Sequence, residues 1–309
     1  MLSQFYQTIF GCKTYKISLD AGCTCPNRDG TKGMGGCIFC SQNGSGDFAS
    51  ARNLTITEQI EQGKKLVEAK IRGRSGERQG KYIAYFQSFT STYGGTKQLL
   101  AKYREALLCK DIAGLAIATR PDCLGEEILQ GLAEISETHF IQIELGLQTS
   151  NEQTGMLINR CYTNQDYLDT VGRIKKASEK IHIVTHLIFG LPGETRGMML
   201  HAADVISELP LTTVKFHQLQ IFKDTKMADE YLANPADFHL FTLEDYIEFV
   251  IDFVERLSPN IVIERFAGEV PPRYLVSKPW LNLRYDQVLA LIEKRLEERD
   301  TFQGKYYKK

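Results

Sequence analysis

The sequence predicts an α/β protein built as a complete or partial (β/α) barrel. Segments typical of buried strands alternate with amphipathic helical segments, and at least six such pairs follow one another along the chain. No Pro-, Gly- or Ser-rich linker separates them, and 309 residues with 43% hydrophobic content are enough for a large core. A series of this length favours a barrel over a small doubly wound domain.

Each element is predicted from its own residues. The helix at 55–73 carries apolar residues at roughly helical spacing, namely Ile60, Leu66, Val67 and Ile71. Pro121 ends the third strand. The predicted strands are 13–20, 81–89, 114–120, 140–149, 182–192, 213–222 and 261–266. The predicted helices are 55–73, 96–108, 125–137, 165–178, 198–209, 243–257 and 283–299. In a barrel of such units, the chemistry lies at the carboxyl ends of the strands.

The bulk composition excludes several classes of protein. The net charge of −1 gives no global attraction to nucleic acid or to an anionic membrane, so any RNA binding must come from local patches. No apolar stretch reaches membrane-spanning length, and the N-terminal residues lack the apolar core of a signal peptide. Five of the eight cysteines occur before residue 41, which indicates metal chemistry in a reducing compartment. We therefore expect a cytoplasmic protein with no membrane partner.

Three cysteines form the most informative motif. Cys25, Cys37 and Cys40 lie in the run CTCPNRDGTKGMGGCIFC, which follows the first predicted strand. Three soft thiolates suit an iron–sulfur cluster or a thiolate zinc site. A structural zinc site needs a fourth ligand, for which Cys23 and Cys12 are near in sequence, and a CxxC pair can also be redox-active. The spacing alone leaves these alternatives open.

Polar side chains recur near the carboxyl ends of the predicted strands. In the strand at 140–149, Gln142, Glu144 and Gln148 share one face, and apolar residues share the other. Because the interior of a TIM barrel is mostly apolar, this pattern indicates a lumen that holds a polar ligand. The same pattern also fits an edge strand with a solvated face. Similar residues near other strand ends are Gln87, Ser88, Thr90, His186, His217, Gln218 and Gln220.

These features together resemble the radical S-adenosylmethionine (SAM) superfamily. Within it, the chain is most similar to the branch that includes the catalytic subunit of elongator and its bacterial relatives. The cysteine spacing differs from the CxxxCxxC that is commonest in the superfamily, but it fits the longer loop of this branch. The matching segments are CPNRDGTKGMGGCIFC (25–40), ATRPDCL (118–124), IELGLQT (143–149), INR (158–160), HLIFGLPGE (186–194), RFAGE (265–269) and FQGKYY (302–307).

The resemblance implies which residues hold the cofactors. Cys25, Cys37 and Cys40 would ligate three irons of a [4Fe-4S] cluster, whose fourth iron would chelate SAM. Cys23 would pack beside the cluster without binding it. The implied SAM contacts are Phe39 and His186 near the adenine, Gln87 and Ser88 near the amino group, Gln148 near the ribose, and Arg160 near the carboxylate.

The resemblance also implies the domain organisation and the reaction. It implies a partial (β/α)6-type TIM barrel of the radical SAM kind over 1–265, including the cluster loop at 21–41, followed by a C-terminal helical extension over 266–309. Reductive cleavage of SAM would yield a 5′-deoxyadenosyl radical that abstracts hydrogen from the substrate. By similarity, the substrate is tRNA, remodelled at the C5 side chain of the wobble uridine, and a flavodoxin or ferredoxin supplies electrons.

Two alternatives for the function stay open from the sequence. The first is radical SAM chemistry on a small metabolite or peptide, and the second is a non-catalytic zinc or cluster-binding interaction module. The candidate RNA contacts are the segment 63–81, which holds seven Lys or Arg residues, and the basic tail KYYKK. Both segments also fit a solvated surface without a ligand.

Overall fold

The computed structural model describes residues 2–44, 52–71, 80–277, 280 and 283–308, without the side chain of Lys70. Within this part of the chain, seven strands alternate with ten α-helices. The strands are β1 (Lys13–Leu19), β2 (Gly80–Phe86), β3 (Ile112–Thr119), β4 (Phe140–Gln148), β5 (His182–Phe189), β6 (Thr213–Gln218) and β7 (Val262–Arg265). The helices are α1 (Leu2–Phe10), α2 (Ile56–Ile71), α3 (Thr96–Leu108), α4 (Glu126–Ser136), α5 (Glu152–Leu157), α6 (Asn164–Ala177), α7 (Arg196–Ser207), α8 (Lys226–Ala233), α9 (Leu243–Arg256) and α10 (Tyr285–Glu298).

The strands form one sheet, in which they are hydrogen-bonded in the order in which they occur in the chain. Strand β1 pairs in parallel with β2, from Lys13 opposite Gly80 to Leu19 opposite Phe86. Strands β2, β3 and β4 continue the parallel pairing, and β6 pairs in parallel with β7. At least one helix lies in every connection between consecutive strands, as parallel pairing requires. The predicted fold class, an α/β partial TIM barrel, is therefore confirmed.

The chain divides into two compact units. The first comprises Met1–Gly35, Asn43–Gly146 and Gln165–Val184, and the second comprises Gly36–Gln42, Leu147–Asn164 and Thr185–Lys309. The predicted domain boundary after residue 265 is a different division, and it stays a prediction.

Helix α1, in the first unit, was not predicted from the sequence. Its Tyr6 is 2% exposed and packs with Ile83, Tyr85 and Ala116 from strands β2 and β3. The Tyr6 hydroxyl donates a hydrogen bond to Oε1 of Gln142 on β4, at 3.1 Å. A side chain that was predicted to face a polar lumen is therefore satisfied by a residue of the N-terminal helix.

Glu144, the second polar residue predicted on that face of β4, also has partners within the first unit. Its carboxylate forms an ion pair with Lys16 of β1 at 2.6 Å and accepts a hydrogen bond from the Tyr85 hydroxyl at 2.8 Å. Gln142 donates to the same carboxylate at 3.4 Å. A buried charge is tolerated when it is paired and hydrogen-bonded in this way, so this part of the polar strand face is an internal network.

Aromatic residues fill the layer between β5, β6 and helix α9 in the second unit. The ring of Phe253 lies 5.0 Å from Phe189 of β5 and 5.0 Å from Phe216 of β6. Side chains alternate along a strand, so the residues next to these two phenylalanines point to the other face. That second face carries His186 and His217, whose rings stack on each other 5.4 Å apart.

The C-terminal residues pack along helix α9 within the second unit. The Arg299 guanidinium binds Asp252 at 2.9 Å and Glu255 at 3.2 Å. The backbone N–H of Tyr306 donates to the carbonyl of Glu255 at 2.7 Å, which fixes the described part of the basic tail. These contacts attach the residues beyond α10 to the helix that covers β5 and β6.

The basic segment at 63–81 is only partly described. Lys64 is 7% exposed and pairs with Glu61 at 2.6 Å, so this lysine is not a surface contact. Arg72, Arg74 and Arg78 lie outside the described residues. Among the described helices, none has the length and apolar character needed to cross a membrane.

Candidate functional site

The CxxC pair lies on one tight turn in the second unit. The backbone N–H of Cys40 donates to the carbonyl of Cys37 at 3.0 Å. Between them, the side chain of Ile38 is 5% exposed and packs into an apolar cluster. Its backbone is held on both sides, because Ile38 N–H donates to the Ile158 carbonyl at 3.1 Å and the Ile38 carbonyl accepts from Met227 N–H at 3.0 Å. The two thiols are therefore presented by a turn whose centre is anchored in the core.

Phe39 and the glycines before the turn are also held by second-unit residues. The partly buried ring of Phe39 packs against the same apolar cluster as Ile188 of β5. The Asn159 side-chain amide donates to the Gly36 carbonyl at 2.8 Å. The apolar cluster thus holds the ring of Phe39, which was predicted to contact adenine, and Asn159 holds the backbone of Gly36 before the turn.

Cys25 lies in the first unit, on a loop built largely from its own backbone hydrogen bonds. The Cys25 carbonyl accepts from the N–H groups of Arg28 at 2.8 Å and Asp29 at 3.2 Å. The next carbonyl, that of Pro26, accepts from Lys32 N–H at 2.8 Å. The loop therefore has a defined backbone path before the Gly-rich stretch.

The predicted ligand cysteines differ from Cys23 in their surroundings. Cys25, Cys37 and Cys40 are half-buried, whereas Cys23 is buried. Burial raises the pKa of the Cys23 thiol to about 11, and only 5% of this residue is exposed. Among the described residues, no group of three or more His, Cys, Asp or Glu side chains is close enough together to hold a metal ion.

Gln87 and Ser88 lie just after β2 in the first unit. The side-chain oxygen of Gln87 accepts a hydrogen bond from the Ser18 hydroxyl at 2.8 Å. The backbone N–H of Gln87 donates to the Leu19 carbonyl at 3.2 Å. Ser88 is fully buried, and its hydroxyl has no hydrogen-bond partner within the described part of the chain. A buried hydroxyl without a partner is costly, so Ser88 fits a position that a polar ligand satisfies.

Arg160 is buried among residues of its own segment in the second unit. Its guanidinium donates to the carbonyls of Leu147 at 2.7 Å, Thr149 at 3.1 Å and Tyr162 at 3.0 Å. It also donates to the Asn164 side chain at 2.9 Å. These contacts favour a structural role, in which Arg160 holds the chain that leaves β4. The assignment of Arg160 to the SAM carboxylate stays a prediction.

Two further predicted contacts are Gln148, which ends β4, and His186, which lies within β5. Gln148 adopts a left-handed backbone conformation with φ of 66°, which is uncommon for residues other than glycine and marks functional or strained positions. His186 stacks on His217 and lies two residues before Ile188, which packs near Phe39. Phe39 and His186 are thus associated with one strand, and their contacts with SAM stay predictions.

Sequence reasoning did not identify Glu194, which follows β5. Its carboxyl accepts a hydrogen bond from the hydroxyl of Thr149, on the segment that follows β4, and the hydroxyl of Thr154 on the same segment lies nearby. Burial raises the pKa of Glu194 to about 7, although both hydroxyls act in the opposite direction. An open cavity of about 620 Å³ lies beside it, lined by residues from 190–199 and 237–245. The sequence signal was present, since Glu194 ends the segment GLPGE.

Comparison with known proteins identifies the family. A family model described as the radical SAM superfamily matches residues 25–206, and the model of the radical SAM C-terminal domain matches residues 211–298. Over 300 residues the chain is 38% identical to the uncharacterised protein YtqA of Bacillus subtilis, which covers 97% of this chain and 90% of that protein. The chain is also 30% identical, over 124 residues, to a tRNA-2-methylthio-N(6)-dimethylallyladenosine synthase of Lachnoclostridium phytofermentans. That match covers 38% of this chain and 27% of the synthase.

The fold is similar to that of a solved archaeal protein. The structure of Elp3 from Methanocaldococcus infernus superposes with a TM-score of 0.68 at 15% sequence identity. The match covers 94% of this chain and 64% of the archaeal chain. At this identity the likeness shows a common fold. The family models over residues 25–206 and 211–298 show that the chain belongs to the radical SAM superfamily.

Proposed function

We propose that this protein is a radical SAM enzyme that modifies tRNA, remodelling the C5 side chain of the wobble uridine. Members of the superfamily use a [4Fe-4S] cluster and SAM, which together supply hydrogen-atom abstraction from an unactivated substrate position. The observation that carries the enzymatic part is the anchored turn with Cys37 and Cys40. It lies in the segment that matches the family model.

The chemistry of the three cysteine side chains suits an iron–sulfur cluster. Cys25, Cys37 and Cys40 would hold it, because thiolates are the ligands that iron–sulfur clusters require and all three residues are partly exposed. Cys23 is the poorer candidate, because it is buried whereas the other three are partly exposed. Three protein ligands leave one iron for SAM.

The chain's own residues orient the cofactors. Ile38 fixes the turn in the apolar core, and Phe39 beside it offers an aromatic face for the adenine of SAM. In the first unit, the buried Ser88 hydroxyl offers a hydrogen bond to a polar group at the end of β2. These positions are built on strand ends and tight turns, which hold side chains more precisely than open loops do.

Two observations support tRNA as the substrate. The motifs resemble the elongator-like branch, and one partial relative is by name an enzyme that acts on tRNA. The net charge of −1 requires local contacts, and Lys305 and Lys308 of the exposed tail are candidates. We further propose that the protein acts in the cytoplasm and takes electrons from a flavodoxin or ferredoxin.

Nucleoside mass spectrometry of tRNA from a deletion strain tests the substrate. We expect a wobble uridine that carries the unremodelled C5 group, and restoration of the normal nucleoside by the wild-type gene. The Cys37→Ala gene should not restore it, whereas Cys109→Ala, which changes a cysteine outside the cluster loop, should do so. An unchanged wobble-uridine profile in the deletion strain would contradict the tRNA proposal and favour a small metabolite or peptide as the substrate.

A further inference from the structure

A half-buried arginine on the last strand has no carboxylate partner among the described residues. Arg265 ends β7, and its terminal nitrogen lies 2.8 Å from both ring nitrogens of His217 on β6. Its Nε is buried and has no hydrogen-bond acceptor within the described part of the chain. Because a guanidinium only donates hydrogen bonds, His217 accepts from it, and the positive charge stays uncompensated.

The acidic residues nearest in sequence to Arg265 have other partners. Glu264 forms an ion pair with Lys215 at 2.9 Å, and the two side chains are 6% and 7% exposed. Glu269 is exposed and accepts a hydrogen bond from the Tyr285 backbone N–H at 3.1 Å. A partly buried cation without a counterion is unfavourable, and an anion that binds there gains charge-assisted hydrogen bonds. The surroundings of Arg265 are therefore suited to an anionic ligand.

The backbone around Arg265 is fixed in place. The Gln218 side chain accepts from Gly268 N–H at 2.7 Å and donates to the Gly268 carbonyl at 2.9 Å. The Tyr246 hydroxyl donates to the Phe266 carbonyl at 2.5 Å. A Cβ at Gly268 would lie 3.1 Å from the side-chain oxygen of Gln220, so the close approach favours glycine. The segment is preorganised, as a binding site requires.

The two histidines beside Arg265 also have a defined position within the second unit. His217 stacks on His186 at 5.4 Å with an interplanar angle of 27°. His186 precedes Ile188 by two residues and therefore shares its face of β5, and Ile188 packs in the same cluster as Ile38 and Phe39. His186 thus lies two residues nearer the amino end of β5 than Ile188, on the face that packs against the apolar cluster of the cysteine turn. His217 lies beside it on β6.

We propose that Arg265, with His217 and His186 beside it, forms a subsite for an anionic group of the substrate, either a carboxylate or a phosphate. The guanidinium would make two parallel hydrogen bonds to such a group, a geometry that arginine provides and lysine does not. The subsite rests on the proposed function in that it serves the same active site. Beyond the proposed function, the subsite specifies that the substrate carries a negatively charged group.

Chemical labelling tests the subsite without knowledge of the substrate. The anaerobically reconstituted holoenzyme is treated with phenylglyoxal, with and without acetate or inorganic phosphate at constant ionic strength, and the modified arginines are quantified by peptide mass spectrometry. We expect one or both anions to slow the labelling of Arg265 saturably, by about twofold or more at the highest concentration, as a charge-assisted contact allows. Arg256, which is exposed on α9, serves as the internal control and should be unaffected.

The anion that protects Arg265 identifies the source of the charge. Protection by acetate indicates a carboxylate, and protection by phosphate indicates a phosphate group. If neither anion protects Arg265, if Arg256 is protected equally, or if Arg265 is not labelled in the ligand-free enzyme, the subsite proposal is wrong.

Kinetics with bulk tRNA from the deletion strain provide a second test. We expect Arg265→Gln to raise the KM for tRNA by about 10- to 100-fold, the loss of a hydrogen bond to a charged group, with a smaller effect on kcat. Arg265→Lys should recover only part of this loss, and Arg256→Gln should behave as wild type. If wild type converts no tRNA, the proposed function fails and the labelling result still decides the subsite. A wild-type KM in Arg265→Gln would overturn the subsite.

Discussion

The side chain of Ile38 packs into the apolar core, and its backbone lies between the two predicted cluster ligands Cys37 and Cys40. Ile38→Ala removes three carbon atoms from a side chain that is 5% exposed. At about 0.8 kcal/mol for each buried methylene, the transfer term is about 2.4 kcal/mol. The cavity left behind raises the expected loss to about 3–4 kcal/mol. The backbone hydrogen bonds to Ile158 and Met227 remain, so the turn should form but be held less firmly.

Two measurements on matched variants test this reasoning. Urea denaturation of the apo-protein gives the change in free energy of unfolding, and the decay of cluster absorbance in the anaerobic holoenzyme gives cluster retention. Ile128→Ala is the control, because Ile128 is 3% exposed on α4 and lies outside the cysteine turn. We expect both variants to lose similar stability and only Ile38→Ala to lose its cluster faster. A loss below about 1 kcal/mol for Ile38→Ala, or equal cluster decay in both variants, would refute the account.

Three further predictions concern individual side chains. Burial raises the pKa of Glu194 from its ordinary value of 4.5 to about 7. Wild type should therefore lose free energy of unfolding relative to Glu194→Gln as the pH rises from 4.5 through 7, which denaturation at several pH values checks. Arg160→Met leaves buried carbonyls without donors and should cost about 3 kcal/mol or more in urea denaturation, against less than about 0.5 kcal/mol for the exposed Arg256→Met. Tyr6→Phe removes the hydrogen bond to Gln142 and should cost about 1 kcal/mol in the same assay, and no measurable loss would contradict that contact.

Local sequence patterns were sufficient to predict the order of the strands and most of the helices. The helix at 96–108 and the strand start at 140 coincide with the structure, because periodicity and flanking turns define them locally. Helix α1 and helix α8 were missed. Helix α1 has no acidic residue in its first turn, and its apolar residues are explained by the strands that they cover. Such tertiary partners are not visible in a local pattern.

The candidate site was predictable in its residue types but not in its contacts. The cysteine motif and the polar strand ends are local features of the sequence. The partners of Arg160 and Glu144 depend on the path of backbone that is distant in sequence, so alternation alone assigned Glu144 to a lumen where the structure places an ion pair with Lys16. The lack of an acidic partner for Arg265 is likewise a property of the folded strands, since Glu264 is its neighbour in sequence and pairs with Lys215.

The assignment of the cluster ligands is the central claim, and anaerobic reconstitution of single cysteine variants tests it most directly. Iron and sulfide content, with electron paramagnetic resonance of the reduced protein before and after SAM is added, should be measured for Cys25→Ala, Cys37→Ala, Cys40→Ala and Cys23→Ala. We expect the first three variants to lose the [4Fe-4S] cluster and Cys23→Ala to keep both the cluster and the spectral change on addition of SAM. Loss of the cluster in Cys23→Ala together with its retention in Cys25→Ala would contradict the assignment.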